Sequence, residues 1–227
     1  MVDDKIHAHI EHEHSLWQEL LCHFPYATFS VAIGFLALSI LKFFGAGCTN
    51  MAKLSGAYHL LFHSFHYVHI LFATVGTVVT FLRFSSSLWR CFVVSALSPA
   101  VFCTLSDVAL PALAAHILGI RVPLHICFFS WDDTMNVLPF MLMGLITGFM
   151  IARHHVHGLR TISLHAHFIH ILISALAASC YIASYGFDKW QGVMGILFCF
   201  LVIAVVVPCT ISDVIIPMYV ARYKWFV

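Results

Sequence analysis

Charged side chains are scarce in this sequence: Asp, Glu, Lys and Arg make up 9% of 227 residues, where a soluble domain usually carries about a quarter. Water is therefore not the main solvent of the chain. The charges present nearly cancel, at a formal net +1, so no basic or acidic field points to nucleic acid or another polyanion. No CxxC pair occurs among the eight cysteines, and Cys91, Cys103, Cys180, Cys199 and Cys209 sit within apolar runs, which argues against a secreted disulfide framework. A secretory leader is also not apparent. The start, Met1-Val-Asp-Asp-Lys-Ile-His, is acidic and His-rich where a leader has a basic segment and an early apolar core. It reads as a retained cytosolic tail.

What is abundant is apolar. Hydrophobic residues make up 61% of the chain and the mean hydropathy is +0.94. Runs of about 20 residues, long enough to cross a hydrocarbon core roughly 30 Å thick, fall near 24–44, 58–82, 91–118, 134–152, 162–185 and 191–220. The sequence thus predicts an all-α integral membrane protein of six transmembrane helices, with the lipid bilayer as its first partner. Lys5, Arg83, Arg90, Arg153, Arg160, Arg222 and Lys224 gather on one side, against Lys42, Lys53, Arg121 and Lys189 on the other. Because Lys and Arg are enriched in cytoplasmic loops, both termini are expected in the cytoplasm.

The chain also resembles itself. His66-Tyr-Val-His69-Ile-Leu71 in the second run returns as His167-Phe-Ile-His170-Ile-Leu172 in the fifth. Cys103-Thr-Leu-Ser-Asp107-Val-Ala-Leu-Pro111 in the third returns as Cys209-Thr-Ile-Ser-Asp213-Val-Ile-Ile-Pro217 in the sixth. The order of the motifs is kept, with His66 and Asp107 separated by 41 positions and His167 and Asp213 by 46. A duplication accounts for both facts. Its units would be residues 22–121 and 122–227, following a His-rich tail at 1–21. Three spans per unit is an odd number, so the second copy must enter the membrane from the opposite side, which gives the inverted-topology repeat of many secondary transporters. Spans one and four form the remaining pair; aligning Gly34 with Gly144 sets His23 opposite Asp133.

Residues three or four apart share a helix face, so His66 pairs with His69, His167 with His170, Cys103 with Asp107, and Cys209 with Asp213. An ionisable side chain at mid-bilayer costs roughly 2.5–3.5 kcal/mol on insertion scales, so two HxxH pairs and two aspartates call for a function. Neutral imidazole and carboxylate together suit a divalent transition metal ion: Zn, Fe, Mn, Co or Ni. The ligand set expected is His66, His69, Asp107, His167, His170 and Asp213, with His63, His23, Asp133, Cys103 and Cys209 as further candidates. A buried cysteine more often acts as a small hydrophobe than as a ligand. Pro111 and Pro217 each follow their aspartate by four residues and remove the hydrogen bond to its carbonyl, which predicts a discontinuous helix at the site. His7, His9, His12 and His14 in the tail, and His154, His155 and His157 between spans four and five, read as cytoplasmic segments that collect metal.

Three functions fit these residues. The first is a metal transporter that works by alternating access around the shared His/Asp site. The second is a membrane metalloenzyme, an oxidoreductase or hydrolase with one or two metals: His59-x-x-x-His63-x-x-His66 and His154-His155-x-His157 resemble the histidine boxes of membrane di-iron desaturases and hydroxylases, although the His-x-x-His-His box is absent. The third is a proton- or sodium-coupled carrier of a small solute, with aspartates as coupling groups and histidines as relays. The spacing of Gly144 and Gly148 permits close helix packing within the chain or in a homo-oligomer.

Overall fold

The computed structural model describes residues 16–45, 51–154, 159–186 and 190–223. In hydrocarbon every backbone N–H and C=O must find a partner inside its own segment, and each apolar run accordingly closes into a helix. The helices are α1 (Leu16–Gly45), α2 (Met51–Phe84), α3 (Leu88–Thr104), α4 (Leu110–Ile117), α5 (Trp131–His154), α6 (Leu159–Gly186), α7 (Met194–Thr210) and α8 (Ile216–Arg222). Six stretches are long and apolar enough to cross a membrane: Leu20–Gly45, Lys53–Phe84, Leu88–Ile117, Trp131–Arg153, His167–Tyr185 and Met194–Arg222. That is the build of a multi-pass membrane protein. Leu36, Leu97, Ile146, Ile196 and Ile203 stand exposed on the outside, where lipid would cover them.

The prolines do not break the third and sixth spans. α3 runs into α4 through a π-helical turn at Leu105–Ala109, and α7 runs into α8 through a second one at Ile211–Ile215. In each turn the backbone N–H of the next residue reaches five residues back, from Leu110 to Leu105 and from Ile216 to Ile211. The wider turn accommodates a residue that has no N–H to donate, and it lies just before Pro111 and Pro217. The expected discontinuity is thus a bulge in a continuous helix. Asp107 and Asp213 sit inside these two bulges, and π-bulges are frequent at functional sites.

α2 and α6, the helices that carry the HxxH pairs, pack against each other at the centre. α1 lies along α6 and α5 along α2, so the first span rests on the fifth and the fourth on the second. Glycines set these approaches. A Cβ at Gly34 of α1 would come within 2.8 Å of Ser179 Oγ and 3.3 Å of the Ala175 carbonyl on α6. A Cβ at Gly144 of α5 would meet the Leu71 carbonyl at 2.7 Å and Thr74 Cβ at 2.8 Å, and one at Gly148 would meet Val78 at 2.8 Å. The Gly144 and Gly148 spacing therefore serves contacts within the chain.

At the other end of α4, Gly119 takes a positive φ of 77°, a conformation that glycine adopts without strain, and the chain turns into a loop. Tyr181 of α6 anchors that loop. Its hydroxyl donates to the Pro123 carbonyl and accepts the His125 backbone N–H at 3.3 Å. A 3-10 turn, Cys127–Phe129, leads into α5.

The glycine contacts carry a prediction. Gly144→Ala should destabilise the protein by about 1–3 kcal/mol, because the atom it meets is backbone, whereas Gly195→Ala, with nothing within 4 Å, should be near neutral. Thermal unfolding in detergent reads the difference; equal melting temperatures would contradict the close α2/α5 contact.

Candidate metal centre

The helical spacing puts His66 and His69 on one face of α2 and His167 and His170 on one face of α6, and the packing of α2 on α6 turns these faces together. The rings of His69 and His170 lie 4.4 Å apart between centroids. Each aspartate then arrives from its π-bulge. Asp107 Oδ2 lies 2.8 Å from His66 Nδ1 and 2.7 Å from His69 Nδ1. In the second cluster, His170 Nδ1 hydrogen-bonds Asp213 Oδ2, and His167 Nδ1 lies 3.6 Å from the same oxygen. All six residues are buried.

The distances separate two roles that sequence spacing could not. Two ligands of one tetrahedral ion, each bound at about 2.0–2.1 Å, stand roughly 3.4 Å apart. Separations of 2.7 and 2.8 Å are shorter than that and are those of N–H···O hydrogen bonds. An ionised carboxylate only accepts, so the Nδ1 atoms of His66, His69 and His170 carry the protons and the Nε2 atoms keep their lone pairs. In metalloproteins a ligating histidine almost always donates its second ring N–H in this way, often to a carboxylate. The aspartates thus orient the imidazoles, and the imidazoles present Nε2.

Most of those Nε2 atoms have nothing to bind. The Nε2 atoms of His66, His167 and His170 are buried without a hydrogen-bond partner, although a buried polar atom left unpaired is uncommon and costs about 1–3 kcal/mol. His69 Nε2 is flanked by two thiols, with Cys103 Sγ and Cys209 Sγ each at 3.7 Å. One ligand atom from each of His66, His69 and Asp107 lies within 4.8 Å of the others; the same holds for His167, His170 and Asp213, and for His69, Cys103 and His170. These buried groups could hold a metal ion.

The two clusters differ in how fully their carboxylates are engaged. Asp107 Oδ1 accepts from Ser106 Oγ at 2.9 Å and from Ser174 Oγ at 2.7 Å, so this carboxylate has four donors around it. Asp213 Oδ1 is buried with no partner, and the His167 contact to Oδ2, at 3.6 Å, matches a separation of two ligands on one ion better than a hydrogen bond. A Cβ at Gly76 would come within 2.7 Å of Asp213 Oδ2, so a side chain on α2 there would crowd the second cluster.

Of the further candidates, His23 of α1 is buried with its ring 4.2 Å from that of His167. Cys103 and Cys209 lie on the seam between the clusters. His63 and Asp133 lie elsewhere, in a separate group near the start of α5 with His59, His125 and Cys127. There burial first, then the charges of Asp133 and Asp107, push the Cys127 thiol up to about 12. His154 closes α5, about 30 Å of helix away from that group. His7, His9, His12, His14, His155 and His157 lie outside the described residues.

Three participants were not singled out from sequence. Ser174 stands four residues beyond His170, on the same face of α6, and that spacing was a usable signal. His125 and Cys127 offered none, because a loop fold brings them to α2. Comparisons with protein families, curated proteins and solved structures find no match to this chain, so its residues must carry the functional reading.

The unequal engagement of the carboxylates predicts unequal tolerance. With metal removed by chelation, Asp107→Ala strands four donors and should lower the melting temperature more than Asp213→Ala, by an amount equivalent to a few kcal/mol at about 1–3 kcal/mol per stranded group. The reverse order in thermal unfolding would contradict the assigned hydrogen bonds.

Proposed function

We propose that the protein is a multi-pass transporter of a divalent transition metal ion, Zn, Fe, Mn, Co or Ni, which it binds within the membrane between two pseudo-symmetric halves. The observation that carries this reading is the set of buried imidazoles whose Nδ1 atoms face carboxylates and whose Nε2 atoms, in His66, His167 and His170, are unpaired. Nitrogen donors with thiols alongside select borderline and soft cations over Mg or Ca. His66, His69, His167 and His170 supply the nitrogens; Asp107 orients its pair and compensates charge, while Asp213 does this for His170 and offers its free oxygen as a ligand.

The halves are proposed to be inverted three-helix repeats. Adding 101 to 66 and 69 gives 167 and 170. The same shift carries Thr74 and Val78, the neighbours of Gly144 and Gly148, onto Ala175 and Ser179, the neighbours of Gly34. That correspondence supports pairing span one with span four as well. Passage would follow from rocking the halves about the α2/α6 seam, so that the shared site faces one side and then the other. Both termini and the His-rich segments are placed in the cytoplasm, where those segments would raise the local metal concentration.

A second reading, a proton-coupled carrier, draws on the direct His–Asp hydrogen bonds, which also suit proton transfer. Uptake in proteoliposomes decides between them. Metal uptake by the wild type is expected, with His170→Ala inactive and with Asp107→Asn and Asp213→Asn slowed about 10–100-fold, the usual effect of losing an orienting carboxylate. Wild-type rates in both aspartate variants would overturn the site, and strict proton dependence with no bound metal would favour the carrier.

A further inference from the structure

The histidine stripe of α2 continues past the central site. His59, His63, His66 and His69 recur at steps of four, three and three residues and climb about 15 Å along the helix. The innermost two are fully buried, while His63 and His59 are partly exposed. Beside this outer half of the stripe lies the loop that Tyr181 anchors. His125 stacks edge-on against His63 at 5.3 Å between ring centroids, and His59 against His63 at 4.5 Å. Cys127 is fully buried underneath. One ligand atom each from His63, His125 and Cys127 lies within 4.8 Å of the others, and His63 Nδ1 is buried without a partner. Asp133 Oδ2 stands 3.2 Å from His125 Nε2, close enough to orient that ring and add negative charge.

We propose that His63, His125 and Cys127 form a second metal site at the mouth of the bundle, supported by Asp133, for a borderline cation such as Zn, Co or Ni. Two imidazoles and a thiolate make a three-ligand set with an open fourth position, as in exchangeable zinc sites. It is half-open: the His125 and Asp133 side chains retain 32% and 21% of their exposure, so an ion can arrive from water. On binding, the metal–sulfur bond replaces the S–H bond of Cys127, and the proton leaves to water. His66 is the next histidine of the stripe, about 4.5 Å further along the axis, so an ion released from His63 meets the central cluster next. This relay role rests on the transport reading above; the binding site itself does not.

The test uses the full chain, purified in detergent and titrated with Co(II), a cation whose thiolate complexes absorb by ligand-to-metal charge transfer. In a Cys103→Ser, Cys209→Ser background, which removes the central thiols, the charge-transfer band should persist with one equivalent of cobalt. Adding Cys127→Ser should abolish it, and adding His125→Ala instead should weaken binding about tenfold or more; excess Mg(II) should not compete. A band that survives the loss of Cys127, or that is missing from the background carrying Cys127, overturns the site. Cobalt uptake in liposomes then tests the relay: Cys127→Ser should raise the half-saturating concentration several-fold and leave the maximal rate unchanged. Unchanged half-saturation in a variant lacking the band overturns the relay. A wild type that shows the Cys127-dependent band and moves no metal upholds the mouth site and refutes transport.

Discussion

Asp107 and Asp213 are buried to 0% and 2% exposure in a chain with few other charges to offset theirs. A carboxylate in that position must be met by donors or neutralised, and here imidazole N–H groups meet it. The rest of the bundle is arranged around this requirement. α2 and α6 share the centre because they carry the imidazoles. The third and sixth spans widen into π turns where the aspartates reach toward them. Glycines stand where helices must come close: Gly76 beside Asp213, Gly34 where α1 meets α6, and Gly144 and Gly148 where α5 meets α2.

Satisfying a carboxylate through Nδ1 fixes what is left over. Each imidazole has one more nitrogen; among the described residues that of His69 meets two thiols, while those of His66, His167 and His170 have no hydrogen-bond partner. An orphaned lone pair in hydrocarbon is costly, and a cation that accepts several of them at once turns that cost into affinity. Asp107 is ringed by four donors while Asp213 has one oxygen without a partner among the described residues, so the two clusters are unequally satisfied. The half-open cluster at His63, His125 and Cys127 is the next group outward along the α2 stripe from the buried pair.

Much of this was legible in the sequence. The six spans follow from apolar run length alone, and the recurrence of the HxxH and Ser-Asp motifs in the same order marked all six central residues. What spacing could not tell was whether a carboxylate binds the metal or holds the histidine; that depends on a difference of under 1 Å between hydrogen-bond and ligand–ligand separations. Proline position showed where helical hydrogen bonding would be disturbed, but not that a π turn would absorb the disturbance. His125 and Cys127 lie outside the periodic runs, and the anchoring of the loop by Tyr181 together with the burial of Cys127 among Ile70 and Ala73 brings them to α2. Cys103 and Cys209 are further ligand candidates from their spacing to the aspartates, and the fold sets both beside His69 Nε2.

The central claim is that a transition metal is held by imidazole nitrogens within the membrane, and X-ray absorption at the metal edge tests it most directly. For purified protein loaded with Zn(II), carrying Cys127→Ser to silence the mouth, the account predicts a first shell dominated by imidazole nitrogen at about 2.0–2.1 Å, and loss of that shell in His66→Ala, His170→Ala protein. A shell of oxygen alone, or zinc retained unchanged after both histidines are removed, would contradict it.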